Sequence, residues 1–469
     1  MQLIEGYEGA RAALQKSNAA RAFSAQPEIE ARVRDICEAV RAEGDEALLR
    51  FERQFDCATF ELGQLRVAPQ EIEAAWQSLP GEVQSALQRA ADNIAYFHRK
   101  QPVGDWTTVS PDGVFLGQRY TPIERVGLYA PGGLAAYPST VLMIGIPAQV
   151  AGVSQVVLCS PPAADGSLHP VILAAARVAG ITEIYRLGGA PAMAAMALGT
   201  ASVRAVDKLV GPGNLYVTLA KKYLYGTVGI DGLYGPSEVV VLCDHTGRRG
   251  VQENSAPHAA QLAADLVAQA EHGADSFVCL VATSRLLCAA VMSEVESQME
   301  VSPRKEVLRQ SLQNALVLCV DSLDEACALC DEAAPEHLEI WSRDALALST
   351  RIRHAGAIFL NTPVPLGDYI AGPSHTLPTG ATARFAHGVG VETFLKRTSL
   401  IAASSDSIAR LANDLNTIAH LEDLPGHAAA VQRAAQGAFL RDVSADSIEA
   451  EGDTDVSAQP GGNATDAGL

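Results

Sequence analysis

Two adjacent residues with different acid–base properties, Glu336 and His337, lie in the segment Ala334-Pro-Glu-His-Leu-Glu-Ile. A carboxylate beside an imidazole offers two bases of different strength at one point of the chain. Oxidising an alcohol requires a base for the hydroxyl proton, and oxidising further to an acid requires an activated water, so one base per step suffices. By itself the pair also fits a solvated Glu and a half-buried His at a helix start just after Pro335.

The run from His258 to His272 predicts an amphipathic helix that ends at Gly273. Gln269 and His272 lie one turn apart on its polar edge, so both side chains can grip one metal ion or ligand. The alternative is a solvated polar face, because Gln is an uncommon zinc ligand. The spacing alone leaves both interpretations open.

Two other pairs join a carboxylate to an imidazole. Asp368 and His375 lie in a Gly/Pro-rich loop after a predicted strand, where functional groups concentrate. Glu422 and His427 flank a Pro-Gly pair, where a surface Glu and a helix-capping His are the alternative. Four of these side chains together form a nitrogen and oxygen ligand set suited to a divalent ion such as zinc: Gln269, His272, Asp368 and His427.

Three glycine-rich turns each follow a strand-like run and precede a helical one. Such turns let backbone amides and a helix N-terminus face an anion such as a dinucleotide pyrophosphate. None is a complete GxGxxG motif, and a plain turn between strand and helix is the alternative for each. The turns are Tyr129-Ala-Pro-Gly-Gly, Leu187-Gly-Gly-Ala and Val210-Gly-Pro-Gly-Asn.

The sequence predicts the helices and strands that position these candidate site residues. Residues 27–101 predict helices without strands. From Pro122 to Leu187, and again from Glu238 to Leu360, short apolar runs alternate with helical ones, which is typical of βαβ units. The pattern predicts two α/β domains with parallel sheets and with ligands at the carboxyl ends of the strands.

Composition narrows the class of protein. The 469 residues are 48% hydrophobic, which is enough for more than one core. A formal charge of −19 without a Lys/Arg run does not favour nucleic-acid binding, so the expected partner is a small molecule. No signal peptide or membrane span is apparent, which predicts a soluble cytoplasmic protein.

Over residues 29–433 the sequence resembles the histidinol dehydrogenase family, the enzymes of the last two steps of histidine biosynthesis. The resemblance implies an α/β fold of two Rossmann-like parallel-sheet domains with additional helical N-terminal and C-terminal segments. The motifs that carry it are collinear: Gly44-Asp-Glu-Ala-Leu-Leu, Pro122-Ile-Glu-Arg-Val-Gly-Leu-Tyr, Tyr137-Pro-Ser-Thr-Val-Leu-Met, Gly211-Pro-Gly-Asn-Leu-Tyr-Val, Gly235-Pro-Ser-Glu-Val, Gln269-Ala-Glu-His-Gly, Ala334-Pro-Glu-His-Leu-Glu, Gly367-Asp-Tyr and Phe394-Leu-Lys-Arg-Thr-Ser.

The expected domains follow from this resemblance. A first α/β domain would comprise residues 27–128 and 238–390 and carry the zinc and catalytic residues, and a second, residues 129–237, would bind NAD. Residues 1–26 would form an N-terminal helical segment, and residues 391–440 a C-terminal helical segment that completes the partner's active site. Residues 441–469 are acidic and poor in large apolar side chains, which predicts a disordered tail.

The resemblance also implies roles for single residues. Glu336 and His337 match the acid/base pair of the family. The zinc ligands would be Gln269, His272, Asp368 and His427, with His427 supplied by the other subunit of an intertwined homodimer. Positions that match substrate contacts are Ser237, Gln269, His272, His337, Asp368, His375, Glu422 and His427, and positions that match NAD contacts are Tyr129 and Asn214.

The implied reaction is a four-electron oxidation of L-histidinol, through an aldehyde, to L-histidine, with two NAD molecules used in turn. His337 would take the hydroxyl proton during the first hydride transfer, and Glu336 would then help to activate water for attack on the aldehyde. Zinc would mainly position the substrate.

Some residues depart from the family's pattern. Pro191 stands where the family commonly has a Gln that contacts NAD, and its backbone nitrogen cannot donate a hydrogen bond. Tyr234 replaces a usually small residue. Three rival functions stay open: an NAD- and zinc-dependent paralogue that oxidises another polar alcohol such as a sulfonated diol, a zinc hydrolase with Glu336 as base, and a metal-binding relative without activity.

Overall fold

The computed structural model describes residues 1–21, 27–132, 136–244 and 256–436. The chain divides into two compact units. The first consists of residues Met1–Pro102 and Pro122–Lys396, and the second of Val103–Thr121 with the residues from Arg397 onward. The predicted tail, residues 441–469, lies outside the described residues.

Helices and short strands alternate along the chain from residue 122, as the apolar runs predict. The helices are α1 (Tyr7–Arg21), α2 (Pro27–Glu43), α3 (Asp45–Phe55), α4 (Pro69–Ser78), α5 (Gly81–His98), α6 (Pro138–Val150), α7 (Pro170–Val178), α8 (Gly189–Leu198), α9 (Leu215–Leu224), α10 (Ala256–Ala270), α11 (Arg285–Val301), α12 (Lys305–Leu312), α13 (Leu323–Ala333), α14 (Ala345–Ser349), α15 (Val364–Tyr369), α16 (Ser405–Leu421) and α17 (Pro425–Ala435). The strands are β1 (Gln2–Glu5), β2 (Trp106–Val109), β3 (Phe115–Pro122), β4 (Arg125–Tyr129), β5 (Gln155–Ser160), β6 (Glu183–Arg186), β7 (Lys208–Val210), β8 (Gly229–Ile230), β9 (Glu238–Cys243), β10 (Phe277–Ala282), β11 (Leu316–Cys319), β12 (His337–Trp341), β13 (Ala357–Leu360) and β14 (Leu395–Ala402).

The first unit contains a five-stranded parallel sheet in the order β6-β5-β4-β7-β8. The chain runs outward from β4 to β6 and then returns to β7, so the strand order reverses between β4 and β7. Ligands of open α/β sheets bind outside the carboxyl ends of the strands at such a reversal. The turns after Tyr129 and Val210 therefore border the crevice, whereas the turn after β6 follows an edge strand.

The N-terminal helices cover this five-stranded sheet. Helix α2 packs on α8 and α9, α4 on α7, and α5 on α6. Val33, Ile36 and Leu48 join one buried core with Met193 and Leu209 of the sheet region. This differs from the predicted grouping of residues 27–128 with residues 238–390, because the apolar faces of these helices match the five-stranded sheet and residues 125–129 form its central strand β4.

A second parallel sheet of the same unit has six strands in the order β1-β11-β10-β9-β12-β13. Every residue of β9 and β10 is buried, as expected of parallel strands covered on both faces. Strand β1 pairs with β11, so residues 1–26 contain a strand as well as the predicted helix. Strands β9 and β12 are neighbours, which brings the starts of both together. The predicted α/β class with two parallel sheets is confirmed.

The second unit contains the three-stranded sheet β14-β3-β2 and the packed helices α16 and α17. Because β14 precedes these helices, residues 391–440 are not helical throughout, which differs from the prediction. Ser407 and Ala419 are the buried residues of α16, and Ala428 is that of α17. In the described part of the chain, every helix is too short or too polar to cross a membrane.

Candidate active site

A cavity of about 610 Å³ in the first unit is lined by residues of both parallel sheets. The five-stranded sheet contributes the loops that follow the carboxyl ends of strands β4 and β7. At the amino ends of the six-stranded sheet, the cavity is lined by Ser237, which precedes β9, and by Glu336 and His337 at the start of β12. The lining residues that the sequence also singles out are Asn214, Ser237, His272, Glu336, His337, Asp368 and His375.

Glu336 and His337 lie at the start of strand β12 rather than of a helix. They are 7% and 4% exposed, so the alternative of a solvated Glu is wrong. Ala334 turns the chain into the strand with a left-handed backbone (φ 43°). Gly356 packs so closely that a Cβ there would lie 2.6 Å from the Glu336 carbonyl oxygen. The turn and this close packing together fix the backbone that carries both bases.

The hydrogen bonds of His337 define which ring nitrogen is the base. Its Nδ1 lies 2.9 Å from the Glu238 carbonyl oxygen, which only accepts, so Nδ1 donates and the neutral ring keeps its lone pair on Nε2. This Nε2 has no hydrogen-bond partner among the described residues. It lies 3.4 Å from Asp368 Oδ1 without hydrogen-bond alignment. Neutral His337 therefore presents a free basic nitrogen beside the Asp368 carboxylate.

Both bases have shifted proton affinities. Burial raises the pKa of Glu336 to about 8; the charge of His337 opposes this rise, and the carboxylates of Glu238 and Asp368 support it. Burial lowers the pKa of His337, but the Glu336 and Asp368 carboxylates outweigh that effect and raise the pKa to about 9. Titratable groups perturbed in this way inside a cavity indicate an acid–base site.

The Asp368 carboxylate is affected by three imidazoles, those of His337, His375 and His272. Burial raises its pKa, but the contact with His337 and the charges of His375 and His272 outweigh burial and hold the pKa below its usual value. His375 Nδ1 donates to the Asp368 carbonyl oxygen at 2.8 Å, and its Nε2 lies 3.2 Å from the Thr140 hydroxyl. His375 thus ties Asp368, which lies in helix α15 rather than in the predicted loop, to α6, and both ring nitrogens of His375 are engaged.

Three side chains at or near the cavity have donor atoms that suit a metal ion. His272 and Asp368 line the cavity, whereas Gln269, whose backbone carbonyl oxygen accepts the His272 backbone N–H at 3.3 Å, is not among the described lining residues. Gln269 is 3% exposed, and its Nε2 has no hydrogen-bond partner among the described residues. Because rotation exchanges the oxygen and nitrogen of an amide, this is a buried amide end free to present its oxygen. That oxygen, a nitrogen of His272 and an oxygen of Asp368 are donors that zinc accepts. Within the described ranges, no three His, Cys, Asp or Glu side chains are arranged to hold a metal.

The other predicted substrate residues fall in both units. Ser237 is half-buried and lines the cavity directly before β9. Glu422 follows α16 and His427 lies in the first turn of α17, so both belong to the second unit, where both are exposed.

The turn after β7 is held in place by a buried ion pair. Gly211 has φ 124°, and a Cβ there would lie 2.3 Å from the Tyr129 carbonyl oxygen. Its N–H donates to Asp231 Oδ2 at 2.7 Å, and Lys221 Nζ donates to its carbonyl oxygen at 3.0 Å. Lys221 and Asp231 also pair with each other, each side chain 1% exposed. The fixed turn leads to Asn214, whose Oδ1 caps α9 by accepting a first-turn N–H at 3.2 Å.

The turn after β6 is closed by groups of the chain itself. Gly188 N–H donates to Glu52 Oε1 at 2.9 Å, and Gly189 N–H donates to the Tyr129 hydroxyl at 3.1 Å. Burial raises the pKa of this carboxyl, Glu52, to about 8. Tyr129 is 4% exposed and is not among the described residues that line the cavity. Glu52 could not be assigned to this turn from local patterns, because it lies 136 residues away from Gly188 along the chain.

Comparisons with known proteins agree on one family. The family model for histidinol dehydrogenase matches residues 19–434. The histidinol dehydrogenase of Heliobacterium mobile is 48% identical over 406 residues, which cover 86% of this chain and 93% of that protein. That of a Synechococcus species is also 48% identical and covers 86% and 91%. The chain belongs to the histidinol dehydrogenase family.

The fold agrees with this membership of the histidinol dehydrogenase family. A crystal structure of histidinol dehydrogenase from Elizabethkingia anophelis matches with a TM-score of 0.86 at 34% identity, covering 93% of this chain and 98% of that chain. The protein is therefore an oxidoreductase. Two residues that depart from the family's sequence pattern lie in different places. Pro191 is buried in the first turn of α8, whereas Tyr234 lines the cavity with its ring centroid 4.5 Å from Lys221 Nζ.

Proposed function

We propose that the protein oxidises L-histidinol to L-histidine by way of L-histidinal, with NAD as hydride acceptor in both steps and zinc as bound metal. The reaction ends histidine biosynthesis, and we expect it in the cytoplasm. The observation that carries the proposal is the buried pair Glu336 and His337 in one cavity with the glycine-rich turns after β4 and β7. A zinc hydrolase would leave those turns without a role.

The two bases act in sequence. In its neutral form, which predominates only above the raised pKa of about 9, His337 accepts the hydroxyl proton on Nε2 while hydride leaves for NAD, and its Nδ1 bond to the Glu238 carbonyl oxygen keeps the ring oriented. Glu336 then accepts a proton from the water that attacks the aldehyde. Its raised pKa makes the carboxylate a stronger base than a solvated one, which suits this second step. As the resulting diol loses a second hydride to the second NAD, His337 again takes the hydroxyl proton.

Gln269, His272 and Asp368 would hold zinc, since the buried amide end of Gln269 lacks a partner among the described residues. When bound, the ion would supply a positive charge that holds the nitrogen atoms of the substrate. His375 keeps Asp368, in α15, in place through its hydrogen bond to the Asp368 carbonyl oxygen. The hydroxymethyl group of the substrate would then face Glu336 and His337.

A second copy of the chain would supply His427 as the remaining zinc ligand and Glu422 as a substrate contact. Glu422 directly follows α16 and His427 lies in α17; both are exposed, and α16 also exposes apolar side chains. Ile418 is 57% exposed and Leu421 is 81% exposed. Clusters of exposed apolar side chains favour a protein–protein contact, which supports a homodimer.

The proposal is tested by NADH formation from limiting L-histidinol with excess NAD and zinc-loaded protein, with the product identified. We expect two NADH per histidine. A single NADH with accumulating aldehyde would contradict the second oxidation. Absence of NADH from histidinol, together with rapid turnover of a sulfonated diol, would establish the paralogue instead.

A further inference from the structure

One buried residue, Glu238, contacts both proposed bases. Its backbone N–H donates to Glu336 Oε2 at 2.9 Å, and its carbonyl oxygen accepts from His337 Nδ1 at 2.9 Å. Its own carboxylate accepts the Glu336 backbone N–H at 3.3 Å. The first residue of β9 therefore holds the carboxylate of one base, the ring of the other and the backbone between them.

The side chain of Glu238 is required for only part of this arrangement. Any residue except proline offers the backbone N–H and carbonyl groups, whereas a carboxylate offers two acceptor oxygens, one for each of two N–H groups. Oε2 takes that of Glu336 and Oε1 takes that of Gly380 at 2.7 Å. The residue is 2% exposed, and a buried carboxylate is costly unless it is paired.

Arg21, the last residue of α1, supplies the counter-charge. Its Nη1 lies 2.6 Å from Glu238 Oε1, and the side chains are 11% and 2% exposed. The guanidinium stacks 3.7 Å over the Phe277 ring and donates to the Ala333 carbonyl oxygen at 3.2 Å. The N-terminal helix is thereby fixed against the strand starts that carry the bases.

We propose that Glu238, paired with Arg21, is a positioning residue that sets the orientation of the Glu336 carboxylate and the His337 ring for the reaction. The inference rests on the proposed function, because it takes these two residues as the reacting bases. Glu238 itself is not among the described residues that line the cavity. Its effect should therefore fall on kcat rather than on KM for the alcohol.

The test is Glu238→Gln, assayed separately with L-histidinol and with L-histidinal. The amide turns a donor towards N–H groups that the carboxylate accepts, so both bases lose their alignment. We expect kcat to fall at least about tenfold with both substrates, as for other residues that orient reacting groups, with KM for histidinol within about twofold of wild type. Glu238→Asp, which keeps the charge, should recover part of the loss.

The chain offers a matched control in Glu183→Gln. Glu183 is likewise the first residue of a parallel strand, β6, and pairs with a buried arginine, Arg125, at 2.7 Å. This variant should lose thermal stability and keep the kcat of wild type. A comparable fall of kcat in the control would show that any broken buried ion pair disturbs catalysis, and would overturn the specific role of Glu238.

Two results separate the failure of this inference from failure of the proposed function. If wild type forms no NADH from histidinol, the proposed function fails first. If wild type is active and Glu238→Gln keeps its kcat, only the positioning role is refuted. If Glu238→Gln does not fold, Arg21→Lys provides the test: a lowered kcat at unchanged KM supports the role, and an unchanged kcat in a folded protein refutes it.

Discussion

The two parallel sheets face the same cavity with opposite edges. The five-stranded sheet presents carboxyl ends, where backbone groups of glycine-rich turns are exposed, and the six-stranded sheet presents amino ends, where Glu336 and His337 are buried side by side. Backbone groups at a strand reversal suit a common cofactor, whereas side chains supply the proton transfers. In the proposed function, cofactor binding would therefore fall to the five-stranded sheet and proton transfer to the six-stranded sheet.

The largest effect is expected from His337→Asn on the six-stranded side. The variant removes the Nε2 base, so oxidation of both the alcohol and the aldehyde should slow by about 10²- to 10⁴-fold. Stopped-flow absorbance of NADH with each substrate measures both halves. His98→Asn is the control, since His98 is another buried imidazole, 1% exposed, that bonds Gln101 and is absent from the described cavity lining. Wild-type rates in His337→Asn would refute the assignment.

Glu336→Gln should give a smaller and selective defect. The amide cannot accept the proton of the attacking water, so the aldehyde half should slow by on the order of 10²-fold while the alcohol half changes little. Accumulation of aldehyde during histidinol turnover is the measurement. Glu339→Gln, in the same strand but bonded to Trp341 and Val364, should spare both halves. Equal slowing of the two halves in Glu336→Gln would contradict separate roles.

On the five-stranded side, Gly211→Ala should act through the backbone. A Cβ would meet the Tyr129 carbonyl oxygen at 2.3 Å and would occupy a φ of 124°, so we expect a loss of about 1–3 kcal/mol of stability and a raised KM for NAD. Thermal unfolding and NAD titration measure both. Gly226→Ala, at φ 101° with no atom within 4 Å, reproduces the backbone strain without the clash. An unchanged KM in Gly211→Ala would remove this turn from the cofactor site.

The smallest effect is expected from Pro191→Gln, which restores the side chain common in the family. Glu52 and Tyr129 already occupy the N–H groups of Gly188 and Gly189, so KM for NAD should stay within about twofold. Asn214→Ala, in the open turn, is the positive control and should raise that KM. A tenfold drop in KM for Pro191→Gln would show that the β6 turn belongs to the cofactor site.

Most strands of both sheets could be predicted from the sequence, but the packing of the helices on them could not. Apolar runs such as residues 239–243 predicted buried parallel strands because their composition matches a doubly covered sheet. The placement of residues 27–128 differed, since an amphipathic helix does not encode which of two similar sheets it covers. The helix expected after Pro335 is strand β12, because pairing with β9 overrides local preference.

For the candidate site, the sequence was enough to identify the reactive residues, but not the buried residues that hold them in place. Gln269, His272, Glu336, His337 and Asp368 stand out by chemistry and by resemblance. Glu238 and Arg21 do not, since their pairing joins segments more than two hundred positions apart and only folding brings them within 2.6 Å. Glu52 closes the β6 turn across a separation of 136 residues for the same reason.

The α/β class, the parallel sheets, the family and the reactive residue types could be predicted from the sequence, because hydrophobic periodicity and local motifs are properties of neighbouring residues. Only the folded chain shows that the turn after β7 borders the cavity while the turn after β6 is closed, that Nε2 of His337 carries the free lone pair, and that the Arg21–Glu238 ion pair lies behind Glu336 and His337. Those features depend on strand order and on contacts between distant segments, and burial then fixes their energies because an unpaired polar group in the interior is costly.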